Sequence, residues 1–394
     1  MPASSFSGAS PVSVEPRNPG IDALRGLSIL LVVLHHMGFR IPLKHTSLGS
    51  LLPGWLLGAL NFDGYEAVFV FFVISGFLIT GNSLRRWGDL SHIGLKGFYG
   101  RRFARIVPCL ALLILTLAVL HLLGIDDYVI HKQDQSLPAA IAAASGFYLN
   151  WYEGHTGYLP GNWDVLWSLS IEEVFYIGFP LACLLSRRRA VLVPCLVVLA
   201  VSLPLSRAAL AGNEIWQEKA YLPGMAAIAA GVLAALLVSR FPSPERRLNL
   251  ALMAAGSIGL AAVLCAGGLL WATWHDGYML LLTASAAALV TSMHWRVGLG
   301  GLRPLPGLGW LRTLGRLSYE IYLTHMFVVF AAVRLYKDYS ASYPAWGWLW
   351  YPPVVLLCWL LGLAVARFVS VPADRALRRY LLAPPPIEAA VESA

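Results

Sequence analysis

The chain has little charge for its length of 394 residues. Asp, Glu, Lys and Arg make up 13% of it and hydrophobic residues 58%, whereas an ordinary soluble domain has about 25% charged residues. This composition excludes an ordinary water-soluble domain and indicates that much of the surface contacts lipid. The net charge of +8 is therefore not interpreted as affinity for nucleic acid.

Cysteine is also scarce, and its placement excludes two kinds of site. The five cysteines stand singly in apolar runs, at Cys109, Cys183, Cys195, Cys265 and Cys358. They lack the paired spacing of zinc sites and disulfide frameworks, so we expect them to pack between helices and expect no metal. A basic start and an Ala-x-Ala cleavage site are missing too, so the first apolar run is expected to be a retained span.

Long apolar runs, in contrast, are frequent. Ten of them approach the roughly 20 residues that cross a bilayer. They are residues 21–39, 64–84, 104–124, 163–185, 190–206, 220–239, 248–270, 277–295, 317–335 and 346–366. The apolar segment 138–150 is shorter and is expected to be re-entrant or interfacial. The sequence thus predicts an all-α, polytopic integral membrane protein with about ten transmembrane helices.

The basic residues predict how these helices are oriented. With a cytoplasmic N-terminus and ten crossings, 22 of the 29 Lys and Arg residues fall on the cytoplasmic side, as the positive-inside rule requires. Both termini are then cytoplasmic, and residues 125–162 form the largest extracytoplasmic loop. We expect a disordered N-terminus at 1–20, a membrane domain at 21–370, a cytoplasmic tail at 371–394 with a disordered Pro-rich stretch at 384–386, and no soluble domain.

Ionisable residues in the first span are candidates for function, because each costs about 2.5–3.5 kcal/mol inside a bilayer. Asp22, Arg25 and His36 fall on one face of a helix, and His36 lies about 16 Å along the axis from Arg25. A polar stripe would then lead from the cytoplasm past the bilayer middle. Alternatively, Asp22 and Arg25 form an ion pair at one interface and His36 marks the other.

An arginine cluster lies at the cytoplasmic mouth of the third span, at Arg101, Arg102 and Arg105. Guanidinium groups suit phosphates because they donate paired hydrogen bonds. The alternative is ordinary anchoring at the membrane surface by snorkelling side chains.

Two adjacent carboxylates, Glu172 and Glu173, lie roughly 14 Å inside the fourth span. A carboxylate at that depth can orient a histidine and raise its basicity. The alternative is a structural pair with Arg or Trp.

Four residues in the second and ninth spans carry a weaker signal. Ser75 and Gly76 are small, and packing between helices alone explains them. Tyr319 and His325 add polar groups to the ninth span, where His325 is as readily a packed, hydrogen-bonded residue as a catalytic one.

Taken together, residues 21–36, 70–80, 98–108, 166–177 and 314–325 resemble the acyltransferase-3 family of membrane acyltransferases, which includes O-antigen and nodulation-factor acetylases and macrolide acylases. The resemblance covers nearly the whole chain. It implies a ten-span core, a cytoplasmic acyl-CoA donor, most commonly acetyl-CoA, and a carbohydrate, glycolipid or small-metabolite acceptor, often on the outer face of a bacterial cytoplasmic membrane.

The resemblance also implies roles for particular residues. The matching positions are Arg25 and His36 in the first-span pattern, with the histidine catalytic, Arg101, Arg102 and Arg105 in the Arg-Arg-x-x-Arg stretch, Glu172 and Glu173 in the paired-acid stretch, and Ser75 to Leu78 in the Ser-Gly-Phe-Leu run. The chain departs from the family at Phe69, where many members carry an acid, and at Val371, where members often carry Glu before Pro372.

These observations give one hypothesis and one rival. In the hypothesis, the nucleotide and phosphates of acyl-CoA dock on the three arginines, and the pantetheine arm extends along the helix face of Asp22, Arg25 and His36, so that Arg25 also binds the donor. His36, oriented by Glu172 or Glu173, acts as general base on an acceptor hydroxyl. An acyl-histidine intermediate is the less favoured variant. Asp22, Ser75, Tyr319 and His325 are assigned to substrate contact or structural support. The rival is a transporter or flippase of a lipid-linked saccharide, which predicts no dependence on acyl-CoA.

Overall fold

The computed structural model describes residues 17–186, 188–242, 245–298 and 307–382, and these residues form helices joined by turns, without a strand. The α-helices are α1 Pro19–Gly38, α2 Leu48–Leu51, α3 Gly54–Phe62, α4 Gly64–Trp87, α5 Leu95–Leu122, α6 Leu137–Ser145, α7 Leu149–Thr156, α8 Gly161–Asp164, α9 Leu166–Ser186, α10 Arg189–Val201, α11 Leu203–Ala208, α12 Glu214–Lys219, α13 Tyr221–Arg240, α14 Arg246–Trp274, α15 Gly277–Gly298, α16 Gly309–Arg316, α17 Ser318–Tyr339, α18 Tyr351–Val365 and α19 Val371–Leu382. A π-helical segment, Ala366–Ser370, joins α18 to α19. The all-α prediction is confirmed.

Eight helical segments within the described ranges are long and apolar enough to cross a membrane. They are Pro19–Gly38, Gly64–Trp87, Leu95–Leu122, Gly161–Ser186, Glu214–Arg240, Arg246–Trp274, Gly277–Val297 and Pro344–Leu382. Apolar helices of this length bury their backbone hydrogen bonds and fit a bilayer, so the protein is an integral membrane protein.

Two of the ten predicted spans correspond to helices outside this set of eight. The stretch 190–206 becomes α10, of only 13 residues, followed by the short α11. The stretch 317–335 becomes α17, which has 22 residues but carries Glu320, His325, Arg334 and Lys337. The count of ten crossings, and with it the cytoplasmic location of both termini, stays a prediction.

Local sequence explains where several helices begin and end. The Asn18 side chain accepts hydrogen bonds from the backbone N–H groups of Gly20 and Ile21, and Pro19 occupies the first turn of α1, which is a favourable start for a helix. Gly88, with φ of +73°, follows the last residue of α4, and Gly157, with φ of +87°, follows α7. Glycine adopts this left-handed conformation without strain.

Glycines allow two helix pairs to pack at very short distance. At Gly76 of α4, an added Cβ would lie 2.0 Å from the carbonyl oxygen of Ile228 in α13. At Gly231 of α13, an added Cβ would lie 1.9 Å from the carbonyl oxygen of Val73 in α4. In the same way, a Cβ at Gly315 of α16 would lie 1.8 Å from the carbonyl oxygen of Asp22 in α1. Small residues permit such close packing of helices in membranes, and the second contact fixes the base of α1 against α16.

The predicted outer loop and the beginning of the predicted tail both contain helices. Residues 125–162 contain the short helices α6 and α7, of nine and eight residues, so the segment 138–150 cannot cross a bilayer. The tail begins with α19, and Leu382 at its end lies against Gly100 of α5. Residues 1–16 and the Pro-rich stretch 384–386 lie outside the described residues.

Candidate functional site

The three arginines near the start of α5 rest on aromatic rings. The guanidinium carbon of Arg102 is 3.9 Å from the centre of the Tyr176 ring, while Arg101 lies over Trp87 at 5.5 Å and Arg105 over Tyr319 at 5.8 Å. Such stacking holds a guanidinium group in place while leaving its N–H groups free.

The guanidinium groups of these three arginines are not used in hydrogen bonds. No ion pair or side-chain hydrogen bond joins any of them to another of the described residues, although Glu172 and Glu173 are near enough to Arg102 to interact with its charge. We call Arg101, Arg102 and Arg105 the inner arginine cluster, because they lie on the side predicted to be cytoplasmic. The cluster presents forked donors that have no hydrogen-bonded acceptor, an arrangement that suits phosphate groups.

Glu172 is linked to this cluster through two hydroxyl groups. Ser75 Oγ donates to Glu172 Oε1 at 2.8 Å, and Tyr176 OH donates to Ser75 Oγ at 2.8 Å. Tyr176 also carries Arg102 on its ring face. Ser75, the predicted packing residue, therefore takes part in a polar network. Its neighbour Glu173 is buried, and its Oε1 has no hydrogen-bond partner among the described residues.

Arg25 connects α1 to α17. Its Nη2 donates to Ser318 Oγ at 2.7 Å, and its Nε lies 3.2 Å from the Gly315 carbonyl oxygen. Asp22, predicted on the same face, pairs with Arg17 at 2.9 Å and so is not a partner of Arg25. Tyr319 donates to the Ile106 carbonyl oxygen at 2.9 Å and ties α17 to α5.

His36 lies near the other end of α1 and also faces α17. Its ring centroid is 5.1 Å from that of His325. Between the level of Arg25 and that of His36, Tyr322 OH lies 2.7 Å from Ser168 Oγ of α9. Ser318, Tyr322 and His325 are four and three residues apart and therefore share one face of α17. They form a polar row that links Arg25 to His36.

A pocket of about 390 Å³ opens at His36. We call it the outer pocket, since it lies on the predicted outer side; it is lined by His36, Phe39, Arg40, Gly161, Asp164 and Met326. The His36 ring makes no side-chain hydrogen bond with the described residues, so its nitrogens are free for a substrate. Burial lowers the pKa of Arg40 at the rim, while nearby Asp127 and Asp164 oppose that shift.

The structure does not place His36 beside Glu172 or Glu173, the partners predicted for it. Neither glutamate makes a hydrogen bond or ion pair with His36 in the described part of the chain. The acid that shares a pocket with His36 is Asp164, which precedes Glu172 by eight residues, or about 12 Å along a helix. The two glutamates lie instead at the level of Arg25 and Arg102.

Sequence reasoning missed the charged residues around the outer pocket. Lys219 bonds to both Asp164 and Glu153, and Arg40 donates to the His36 carbonyl oxygen at 2.8 Å. In the sequence, Arg40, Asp164 and Lys219 stand at the borders of predicted spans, and this position could have identified them. Charged residues there are usually taken for interfacial anchors, which is why they did not stand out.

Known proteins resemble this chain in sequence over much of its length. The sequence model of the acyltransferase-3 family, described as an acyltransferase domain, matches residues 18–366. "Peptidoglycan O-acetyltransferase OatA" of Listeria monocytogenes serovar 1/2a is 29% identical over 214 residues, which cover 52% of this chain and 29% of that protein. "Putative peptidoglycan O-acetyltransferase YrhL" of Bacillus subtilis is 29% identical over 345 residues, covering 79% of this chain and 48% of that protein.

A third relative, "Putative O-acetyltransferase SACOL0978" of Staphylococcus aureus, is 32% identical over 166 residues, covering 41% of this chain and 24% of that protein. The chain thus spans about half or less of the length of these curated relatives. No solved structure gives a significant match.

Proposed function

Since the chain belongs to the acyltransferase-3 family, we propose that it moves an acyl group, most simply acetyl, from cytoplasmic acyl-CoA to a hydroxyl group of a carbohydrate on the other side of the membrane. The observation that supports this most directly is the polar row on α17. It connects Arg25, near the inner arginine cluster, with His36 in the outer pocket.

The donor end of this proposal rests on the unpaired arginines. Three guanidinium groups held by aromatic rings suit the phosphates of CoA, and Arg25 lies further along the same path. The pantetheine arm would extend from the inner arginine cluster along α1, over the roughly 16 Å between Arg25 and His36. Glu172, Ser75 and Tyr176 then shape the inner half of the path rather than the reaction centre.

The reaction itself takes place at His36. The unprotonated imidazole nitrogen accepts the proton of the acceptor hydroxyl as that oxygen attacks the thioester carbonyl carbon. The C–S bond breaks, the CoA thiolate leaves, and the imidazolium returns the proton to the thiolate sulfur. The ester and free CoA are the products, and no other reactant is needed.

The acceptor class follows from the relatives. Two of the three are called peptidoglycan O-acetyltransferases, one of them with the word putative, and the outer pocket is large enough for a sugar ring. We therefore propose a glycan such as peptidoglycan as acceptor and the bacterial cytoplasmic membrane as location. Family membership and the free arginines favour this function over the transporter of a lipid-linked saccharide.

The test uses the full chain in lipid nanodiscs with radiolabelled acetyl-CoA. We expect slow release of CoA, with water as acceptor, that requires His36, and transfer of label when glycans are added. His36→Ala should abolish both. A well-folded protein that neither binds nor turns over acetyl-CoA or longer acyl-CoAs would contradict the proposal and favour the transporter.

The sidedness of the proposal needs its own measurement. Single cysteines at Asp134, in the predicted outer loop, and at Arg247, predicted to be cytoplasmic, can be labelled with a membrane-impermeant maleimide in intact cells, after the native cysteines have been replaced. We expect the maleimide to label the Asp134→Cys variant and not the Arg247→Cys variant. The reverse pattern would place the outer pocket on the cytoplasmic side.

A further inference from the structure

An ion triad on the predicted outer side has one member in the outer pocket. Lys219 Nζ bonds to Asp164 Oδ1 and lies 3.1 Å from Glu153 Oε2. The side chains of Glu153 and Lys219 are 0% and 4% exposed, whereas that of Asp164 is 21% exposed. Asp164 is therefore the only member of this outer ion triad that a molecule in the pocket can reach.

Three different elements hold the triad in place. Glu153 lies on α7, Lys219 ends α12, and Asp164 ends α8. Glu153 Oε1 also accepts a hydrogen bond from the Leu159 backbone N–H at 3.0 Å. Because Glu153 and Lys219 are fixed from several sides, the Asp164 carboxylate has little freedom to move. A carboxylate held in this way offers a constant position to a ligand.

The Asp164 carboxylate also has unused capacity. Among the described residues, Lys219 donates a hydrogen bond to it and the Glu153 carboxyl group lies within hydrogen-bonding reach, whereas a carboxylate accepts about four hydrogen bonds. Burying two carboxylates with one lysine is costly unless further donors satisfy them. The pocket is the place from which such donors can come.

The structure assigns Asp164 as an acceptor-positioning residue: it accepts a hydrogen bond from a second hydroxyl or amide N–H group of the sugar whose hydroxyl is acylated at His36. This inference rests on the proposed function, because it assumes that the acceptor occupies the outer pocket. Asp164 and His36 line the same pocket of about 390 Å³, and a sugar residue carries several such donor groups. Holding one of them directs the reacting hydroxyl toward the imidazole.

The ligand class follows from this geometry. The occupant is a pyranose with a free hydroxyl group and at least one further hydrogen-bond donor, and an alcohol with a single hydroxyl would be a poor acceptor. Since a hydrogen bond to a charged group contributes about 1.5–3 kcal/mol, loss of that further donor should lower kcat/KM for the acceptor roughly 10- to 100-fold.

The experiment compares wild type, Asp164→Asn and Asp164→Glu in nanodiscs, with acetyl-CoA as donor and methyl β-glucopyranoside and its monodeoxy analogues as acceptors. In wild type we expect one deoxy position to abolish transfer and a second one to reduce kcat/KM about 10- to 100-fold. Asp164→Asn should lower kcat/KM for the parent glycoside to a similar extent and lose the discrimination against that second analogue. CoA release with water as acceptor should fall less than transfer to the glycoside.

A purely structural role would lower CoA release and transfer together and would leave the discrimination between analogues intact, which would overturn the assignment. Asp134→Asn is the matched control, because it removes another acid on the predicted outer side, one that is exposed and does not line the pocket. It should leave the whole profile unchanged. Asp164→Glu keeps the charge and should recover part of the transfer.

Further outcomes separate the inference from the function on which it rests. If Asp164→Asn does not fold, the deoxy analogues can still be compared with wild type alone. Equal kcat/KM for all analogues, apart from the one that lacks the acylated hydroxyl, would overturn the role of Asp164. A wild type that releases CoA but acylates none of the glycosides also overturns the assignment of a pyranose to the pocket. If wild type releases no CoA at all, the proposed function itself fails.

Discussion

His36 and His325 face each other across the contact between α1 and α17, with ring centroids 5.1 Å apart. His325 Nδ1 lies 2.7 Å from the Tyr322 carbonyl oxygen, so this nitrogen carries the proton and donates it. His325 is 0% exposed, whereas His36 borders the outer pocket. His36 is therefore the histidine that can meet a substrate, and His325 limits where its ring can lie.

The two histidines should differ in their effect on the reaction. We expect His36→Ala to lower the rate of single-turnover acyl transfer by about 10²- to 10⁴-fold, the usual contribution of a general base. His325→Gln should lower it by less, because it affects only the position of His36. His155→Gln is the control, since the His155 ring packs against Trp151 of α7 and does not line the outer pocket. Unchanged single-turnover transfer in His36→Ala would refute the role of His36.

Arg102 should govern the binding of the donor. It lies over the Tyr176 ring without a hydrogen-bonded carboxylate, although Glu172 and Glu173 are near enough to interact with its charge, and replacing it with Ala removes a phosphate contact. We expect KM for acetyl-CoA to rise about 10- to 100-fold, with a smaller change in kcat, in steady-state assays of CoA release.

The control for Arg102 is Arg189→Ala. Arg189 is predicted to lie on the same side of the membrane, but it pairs with Asp89 at 2.8 Å and should leave KM within about twofold. Equal effects of the two substitutions would mean that general surface charge, and not the inner arginine cluster, attracts the donor.

Helical periodicity predicts which residues lie on one face of a single helix. Arg25 and His36 are eleven residues apart, so the 3.6-residue repeat places them on one side of α1, and in the structure both face α17. Which acid lies opposite His36 depends instead on how α9 is placed along α1. That relation arises from packing between distant segments, and it brings Asp164 rather than Glu172 to the pocket.

Hydropathy likewise predicts only part of the membrane topology. It identified most of the long helices, because a bilayer demands long apolar runs. Composition does not decide whether α17 crosses the membrane, because its charged residues lower its hydropathy although it packs beside α1, α5 and α18. Polar residues within a helix can be sheltered by neighbouring helices, and one helix's sequence does not contain that information.

The contact between α4 and α13 should be sensitive to a single methyl group at Gly76. A Cβ there would lie 2.0 Å from the Ile228 carbonyl oxygen, so one helix must move. We expect Gly76→Ala to destabilise the protein by about 1–3 kcal/mol, measured as a lower temperature of unfolding in detergent. Gly81→Ala on the same helix meets nothing within 4 Å and should be neutral or stabilising by up to about 1 kcal/mol. Similar losses at both positions would contradict this account.

Asp63, between α3 and α4, should make the stability of the protein depend on pH. Burial, with a smaller effect from Glu66, raises the pKa of its carboxyl group to about 8, compared with about 3.9 in an unfolded chain. Between these values the folded protein binds the proton more tightly than the unfolded chain, so stability falls as pH rises from about 4 to about 8.

We therefore expect wild type to unfold at a higher temperature at pH 5.5 than at pH 8.5, and Asp63→Asn, which stays neutral, to lose that part of the difference. Asp89 provides the control, because hydrogen bonds from Ser91 lower the pKa of its carboxyl group to about 2, so that it stays ionised over this range. Asp89→Asn should leave the slope between pH 5.5 and pH 8.5 as in wild type. If Asp63→Asn keeps the full slope, other buried groups titrate there and Asp63 is ionised in the folded protein.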